Sequence, residues 1–285
     1  MTKRKILISL VIIGFILTII GVVYDGFNYA PSRLKLNYRY IESEKIHMDL
    51  DGLQIAFISD IHYNNFMDKE RFDNVLDKLN ETNPDIVIFI GDLIDDDNLK
   101  NLTDPIKESL LLQLNQITAK YGKFAVLGES DYINEEIETT VTQILFDADF
   151  EVIKNNMIKI SKDTNNYFQL VGIDSPLDDK ADITKAYENV SDKNFTLTIV
   201  HTPDTTNDLP QNKTDLVVAG HSHGGQIKIP LLGQLYNQEL ANDYYSGLYN
   251  VGEIKLFVTN GVGTSNKDVR IFAPAEIVIY TLKSK

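Results

Sequence analysis

Four of the five histidines in this chain fall at the carboxyl ends of short apolar runs; only His47 does not. The runs end in Ser59-Asp60-Ile61-His62, Gly91-Asp92-Leu93-Ile94-Asp95, Gly128-Glu129-Ser130-Asp131, His201-Thr202-Pro203 and Gly220-His221-Ser222-His223-Gly224-Gly225-Gln226. Taken singly these are weak signals. Asp-x-His is common by chance, Gly-Asp after a strand is usually a turn, and a lone His201 is more often a satisfied core histidine. His-x-His is more specific, because both imidazoles reach one centre only from a loop. As a set they describe carboxylates and imidazoles gathered at a shared edge, a donor set that suits divalent ions such as manganese, iron or zinc. Glycines beside the donors let the backbone turn sharply and let a substrate approach. The chain has no cysteine, which excludes thiolate zinc sites, disulfides and a cysteine nucleophile.

Such residues need strands to hold them. Apolar runs rich in Val, Ile and Phe recur at Leu53–Ile58, Asp85–Ile90, Lys123–Leu127, Phe168–Ile173, Thr196–Val200, Asp215–Ala219, Ile254–Val258 and Glu276–Leu282. Between several of them lie stretches with three- and four-residue apolar spacing, at Asp68–Leu79, Ile106–Ile117 and Glu135–Phe146, which predict helices. Alternating strand and helix predicts an α/β fold with a largely parallel sheet, and ligands in such sheets bind beyond the carboxyl ends of the strands.

The amino terminus has a different character. Residues Ile6 to Val23 are apolar apart from Ser9 and Thr18 and carry no charge. As a helix the run is about 27 Å long, close to the hydrocarbon thickness of a bilayer. Lys3, Arg4 and Lys5 precede it, which places the tail in the cytoplasm and the remainder outside, although Arg33, Lys35 and Arg39 on the other flank oppose that bias. The competing reading is a cleaved signal peptide, whose apolar region is usually shorter and followed by a small-x-small site; Asn28-Tyr29-Ala30 matches that poorly. The expected organisation is a basic tail at 1–5, a transmembrane helix at 6–23, a linker with a leading strand at 24–50, and one catalytic domain at 51–285. The net charge of −14, with no dense Lys/Arg cluster beyond residue 5, argues against a nucleic-acid partner.

The order Asp-x-His, Gly-Asp-x-x-Asp, Gly-x-x-Asp, His and Gly-His-x-His resembles the signature of the calcineurin-like metallophosphoesterases. The GHSHGGQ ending and the later Gly261-Val262-Gly263-Thr264-Ser265 are similar to its membrane-associated bacterial branch. The resemblance covers roughly residues 50–283. It implies a two-sheet sandwich flanked by helices and two divalent metal ions. One would be held by Asp60, His62, Asp92 and His223, the other by Asp92, Glu129, His201 and His221. It also marks Asp92, Ser130 and Asp131 as the candidate catalytic residues, and hydrolysis of a phosphate ester by metal-activated water as the reaction.

This chain departs from the family in its third motif, where Glu129-Ser130 stands in place of Asn-His. A third carboxylate strengthens metal binding and weakens the pull on an anionic phosphate. Ser130 can donate a hydrogen bond but is a poor general acid, and loss of that role typically costs about 10²–10⁴-fold in rate. Two expectations follow: a membrane-anchored phosphoesterase acting on a phosphodiester or pyrophosphate of the envelope or of a lipid-linked substrate, or a catalytically weak metal-binding pseudoenzyme on the same fold. The Leu- and Tyr-rich stretch Pro230 to Leu248 reads either as an apolar lip for a lipid tail or sugar, or as an ordinary packed loop.

Overall fold

The computed structural model describes residues 3–96, 98–162 and 165–285. In chain order the helices are α1 (Lys3–Asn28), α2 (Lys69–Glu81), α3 (Asp104–Leu114), α4 (Glu135–Asp147) and the single-turn α5 (Ile183–Ala186). The first strands are β1 (Leu34–Ser43), β2 (Gln54–Ile58), β3 (Ile86–Ile90), β4 (Lys123–Val126) and β5 (Phe150–Val152). Then come β6 (Asn156–Ile160), β7 (Phe168–Gly172), β8 (Thr196–Val200) and β9 (Leu216–Ala219). A short hairpin of β10 (Lys228–Ile229) and β11 (Gly233–Gln234) precedes β12 (Gly247–Val251), β13 (Ile254–Val258) and β14 (Ala275–Ser284).

Two six-stranded sheets stack face to face, ordered β1-β14-β2-β3-β4-β5 and β12-β13-β9-β8-β7-β6. Strands β2–β4 and β7–β9 pair in parallel and are covered on both faces, so they are largely apolar, with Gln169, Thr196 and Thr198 hydrogen-bonded where they are buried. Alternate residues serve different layers. On β2, Ala56 and Ile58 face the helices α2–α4, whereas Ile55 and Phe57 face the second sheet. On β9, Leu216 and Val218 join the inter-sheet core, while Val217 and Ala219 face outward beneath Tyr187 and Val190.

The expected strands and helices are present with small shifts at their ends. Asp85 and Asp215, read as first strand residues, lie just outside: their carboxylates accept from the N–H groups of Gln54 and Thr196, each at 2.9 Å. The sheet is less uniformly parallel than predicted, since β14 runs antiparallel to β2 while pairing in parallel with β1. Strands β5, β6 and β12 escaped the sequence reading because their residues alternate with exposed polar ones at a sheet edge. The apolar amino-terminal helix extends beyond the expected span, over Lys3–Asn28, and is long and apolar enough to cross a membrane.

Antiparallel insertion of β14 has a geometric consequence. Val278 pairs with Phe57 and Leu34 with Ala275, so β1 and β14 both begin at the end of the sheet where β2 finishes. α1 therefore joins the domain at the end that carries Asp60.

Candidate metal centre

The five motifs converge at the carboxyl ends of β2, β3 and β4 in one sheet and β8 and β9 in the other. The loops after β2 and β3 are locked together: Asp60 N–H donates to the Gly91 carbonyl at 3.0 Å, and the N–H groups of Ile61 and His62 donate to that of Asp92 at 2.9 and 3.1 Å. Asp60, His62, Asp92, His221 and His223 all adopt left-handed backbone conformations, with φ between 48° and 67°. Such conformations cost of order 1–3 kcal/mol each and persist only where the surroundings enforce them. Here each one turns the chain out of its strand and swings the side chain into the cleft between the sheets. Gly91, at φ 84°, has no room for a side chain, because a Cβ there would lie 2.6 Å from His201 Nδ1.

The donor atoms form two groups, Asp92, Glu129, His201 and His221, and Asp60, His62 and His223. Every member is buried except Glu129, which is partly exposed. Asp92 Oδ2 stands between the groups, 3.3 Å from His201 Nε2 and 3.4 Å from His62 Nε2. In the second group the Nε2 atoms of His62 and His223 face one another at 3.1 Å. In the first, Glu129 reaches His201 Nε2 at 3.0 Å and His221 Nδ1 at 2.8 Å.

The outer nitrogens fix the rings. His201 Nδ1 donates to the Ile90 carbonyl at 2.6 Å, and His221 Nε2 donates to that of Glu239 at 2.8 Å. Each bond assigns the proton to the outer nitrogen and leaves a lone pair on the inner one, the arrangement metal-binding imidazoles require. Asp95 approaches His62 Nδ1 at 3.9 Å from its far side. Buried atoms with no hydrogen-bond partner concentrate here: Asp60 Oδ2, Glu129 Oε2, His201 Nε2 and His221 Nδ1. Unpaired polar atoms are expensive to bury, and divalent cations would satisfy all four.

Electrostatics agree with a cation site. Burial pushes His223 well below the usual imidazole range, helped by His62 and Arg270, and keeps the ring neutral. Burial alone would depress His201 too, but the carboxylates of Asp92 and Glu129 override it and hold the ring well above its ordinary value, so a cation binding there would have to displace a proton from the inner nitrogen. Burial would raise Glu129, yet His201 and His221 hold it well below the carboxylate range. Glu129 thus contributes a negative charge to the first donor group.

The other two predicted catalytic residues take different places. Ser130 is buried beside Asp92, and its N–H donates to Asp92 Oδ1 at 3.0 Å. Asp131, expected among the catalytic groups, does not face the cleft. It is fully buried, and its carboxylate accepts from the N–H groups of Asp92, Leu93 and Gly128 at 2.9, 2.9 and 3.0 Å. With both oxygens committed to backbone, it positions Asp92 and cannot meet substrate. Burial raises its pKa to about 7, with the nearby Asp92 charge adding to the effect.

Sequence reasoning missed Arg270. Its guanidinium is fully buried and donates to the carbonyls of Ala273 and Asn260, each at 2.8 Å, and of Gly263 at 2.5 Å, with His223 further off at 3.4 Å. It ties the loop after β13 to the His223 turn. A lone arginine between Val269 and Ile271 was the available signal, but it has no fixed spacing from the metal-type motifs.

A sandwich of two mixed sheets with paired carboxylate and imidazole clusters at one edge defines a dimetal phosphoesterase type of centre. The chain belongs to the calcineurin-like phosphoesterase family, whose model matches residues 53–225, and it is a metal-dependent hydrolase of phosphoric esters. The metallophosphoesterase YkuE of Bacillus subtilis is 29% identical over 267 residues, 91% of this chain and 90% of its own. A transmembrane protein with a metallophosphoesterase domain from Danio rerio is 27% identical over 95% of this chain and 62% of its own. The UDP-2,3-diacylglucosamine pyrophosphatase LpxG of Chlamydia muridarum is 27% identical over 87% of this chain and 89% of its own.

Proposed function

We propose that this protein is a membrane-anchored dimetal phosphoesterase that cleaves a pyrophosphate or phosphodiester bond in a lipid-linked envelope substrate, with its domain outside the cytoplasm. The observation that carries the reading is Asp92, whose one carboxylate oxygen stands within 3.4 Å of an imidazole from each donor group. Asp60, His62, Asp92 and His223 would hold one cation, and Asp92, Glu129, His201 and His221 the other. Cations held there supply a water of lowered pKa and a positive clamp on the phosphate oxygens. The protein's own part is to fix the donors: Ile90 and Glu239 orient two rings through their carbonyls, and Asp131 holds the Asp92 loop.

Position 130 narrows the substrate. Without an imidazole there, proton delivery to the leaving group is weak, which penalises alkoxide leaving groups by about 10²–10⁴-fold. A phosphate monoester leaving group needs little protonation, so a pyrophosphate bond suits this site better than an alkyl diester. The relative named a pyrophosphatase of a diacylated sugar nucleotide supports the same choice.

The test is hydrolysis of an activated aryl phosphodiester with added manganese, comparing the wild type with Asp92→Asn and measuring metal content in both. The wild type should turn over and bind metal, and the variant should lose most of both. A variant that keeps its rate and its metal would overturn the assignment.

A further inference from the structure

The donor cleft is not the only feature at the α1 end of the sandwich. α1 meets the domain through close backbone packing: Arg270 N–H donates to the Gly26 carbonyl at 2.9 Å, and a Cβ at Gly26 would fall 2.5 Å from Ile271. Asp25 pairs with Arg33 at 2.6 Å across the same junction. The segment that receives the helix then pairs with the loop leaving His223. Ile271 N–H donates to the Gln226 carbonyl at 3.0 Å, and Lys228 N–H returns to the Ile271 carbonyl at 2.8 Å. The β10–β11 hairpin is thus a single backbone ladder away from the base of α1.

That hairpin carries an apolar ledge. Leu231 is fully exposed, Leu232 is 79% exposed, and Leu235 and Tyr236 are each more than 60% exposed. Contiguous exposed apolar side chains on a soluble surface mark an interaction site. Two further observations say with what. First, a groove separates α1 from the domain; Thr18, Gly21 and Val22 on the helix and Ile271, Phe272 and Ala273 on the loop form its apolar walls, and Arg270 and the Asp25–Arg33 pair also line it. Thr18 and Val22 belong to the uncharged apolar run, so with α1 in a bilayer this groove would lie where that run ends and the Asp25–Arg33 pair begins, and Phe272 is exposed beside it. Second, a cavity of about 310 Å³ runs from His223 past Ile227 and Val269 to Leu235 and Tyr236, with Lys267 on its rim. Its lining therefore includes one residue of the donor groups, His223, and two of the ledge, Leu235 and Tyr236.

We infer that the ledge Ile229–Tyr236, together with Phe272, inserts into the bilayer leaflet that holds the carboxyl-terminal turns of α1. The cavity beside His223 then opens toward lipid, so a membrane-embedded substrate reaches the site without passing through bulk water. Apolar tips flanked by Tyr236 and by the cations of Lys228 and Lys267 match the chemistry of an interface, where aromatic rings sit at headgroup level and lysines meet lipid phosphates. The inference rests on α1 being a membrane helix, and its test separates the two.

The chain has no tryptophan, so a single introduced indole reports alone. Full-length protein carrying Leu231→Trp is reconstituted into vesicles of mixed phosphatidylcholine and phosphatidylglycerol, with acyl chains either brominated or unmodified. Phe15→Trp in the middle of α1 reports the helix. Phe146→Trp, exposed at the end of α4 remote from the donor cleft, reports a site away from the membrane. The expected result is a blue-shifted Leu231→Trp emission that loses most of its intensity in brominated vesicles, as Phe15→Trp does, while Phe146→Trp is unchanged. If Phe15→Trp is quenched and Leu231→Trp is not, the ledge lies outside the bilayer and the inference falls with the anchor intact. A blue shift at Leu231→Trp without quenching means a protein covers the ledge and overturns it equally. If Phe15→Trp also escapes quenching, the membrane reading of α1 fails and takes the inference with it. Equal quenching of Phe146→Trp shows that any exposed indole partitions and likewise overturns it.

Discussion

Asp131 illustrates how a residue can matter to chemistry without touching it. Two of its three backbone hydrogen bonds hold the first two residues after Gly91, Asp92 and Leu93, and the third holds Gly128. Asn at this position keeps one acceptor and turns an amide donor against a buried N–H. An unsatisfied buried donor costs about 1–3 kcal/mol. Loosening the support of a metal ligand typically costs about 10–100-fold in metal affinity or activity. Asp131→Asn should therefore lower manganese affinity by that factor in a calorimetric titration while the protein remains folded. Unchanged affinity would show that the Asp92 loop is held by its neighbours. Glu129 offers the opposite trade. Glu129→Asn removes a charge that His201 and His221 both face, so metal affinity should fall while KM for an anionic phosphodiester falls as well. A variant with unchanged metal affinity would place Glu129 outside the coordination shell.

The elements differ in what holds them. Phe57 is fully buried in the core between the sheets, with its ring 6.2 Å from that of Tyr280 on the adjacent strand. Phe57→Ala should destabilise by about 3–5 kcal/mol, read by denaturant unfolding, because the paired sheets cannot collapse around the void. α4 buries Ile137, Val141, Ile144 and Leu145 in the core and adds an ion pair at its surface. Burial works against ionisation of Glu138, but Lys154 at 2.7 Å and Lys180 at 3.4 Å outweigh it and hold the carboxyl below its usual value. A depressed carboxyl stabilises the fold above its unfolded pKa, and that stability disappears as pH falls through the lower folded value. Glu138→Gln should cost about 0.2–1 kcal/mol at neutral pH and nothing once the pH is below that lowered value. Unfolding curves at both pH values check the sign, and a constant difference would contradict it.

At the scale of the whole molecule, the proposed role of α1 as a membrane anchor makes a prediction about orientation. Lys3, Arg4 and Lys5 precede the apolar run of α1 and favour a cytoplasmic amino terminus. Protease added to intact cells should then digest the domain. Full protection, with digestion only after lysis, would reverse the orientation while leaving the chemistry of the cleft as it is. The sandwich itself sets the other relation. Because β1 and β14 start where β2 ends, α1 and the donor cleft share one end of the domain.

Local signals alone determined much of this protein. Strands buried on both faces must be largely apolar, so β2, β3 and β9 were visible as runs, as was β8 despite its two buried threonines. The motifs after them were visible because metal chemistry restricts the donors to a few residue types. The apolar span of α1 was equally plain, since length and hydropathy are properties of a segment. Tertiary structure decided what depends on partners distant in sequence. Asp131 and Glu129 are two residues apart in one short turn, yet one faces backbone N–H groups and the other faces imidazoles. Side-chain direction follows from a backbone path fixed by neighbouring loops, and residue type does not set it. The carbonyls of Ile90 and Glu239 that orient His201 and His221 are 111 and 18 residues away, and carbonyls carry no sequence signature. The placement of β14 between β1 and β2, which brings α1 to the end of the domain that holds the cleft, is a pairing choice between strands more than 200 residues apart, and composition cannot express it.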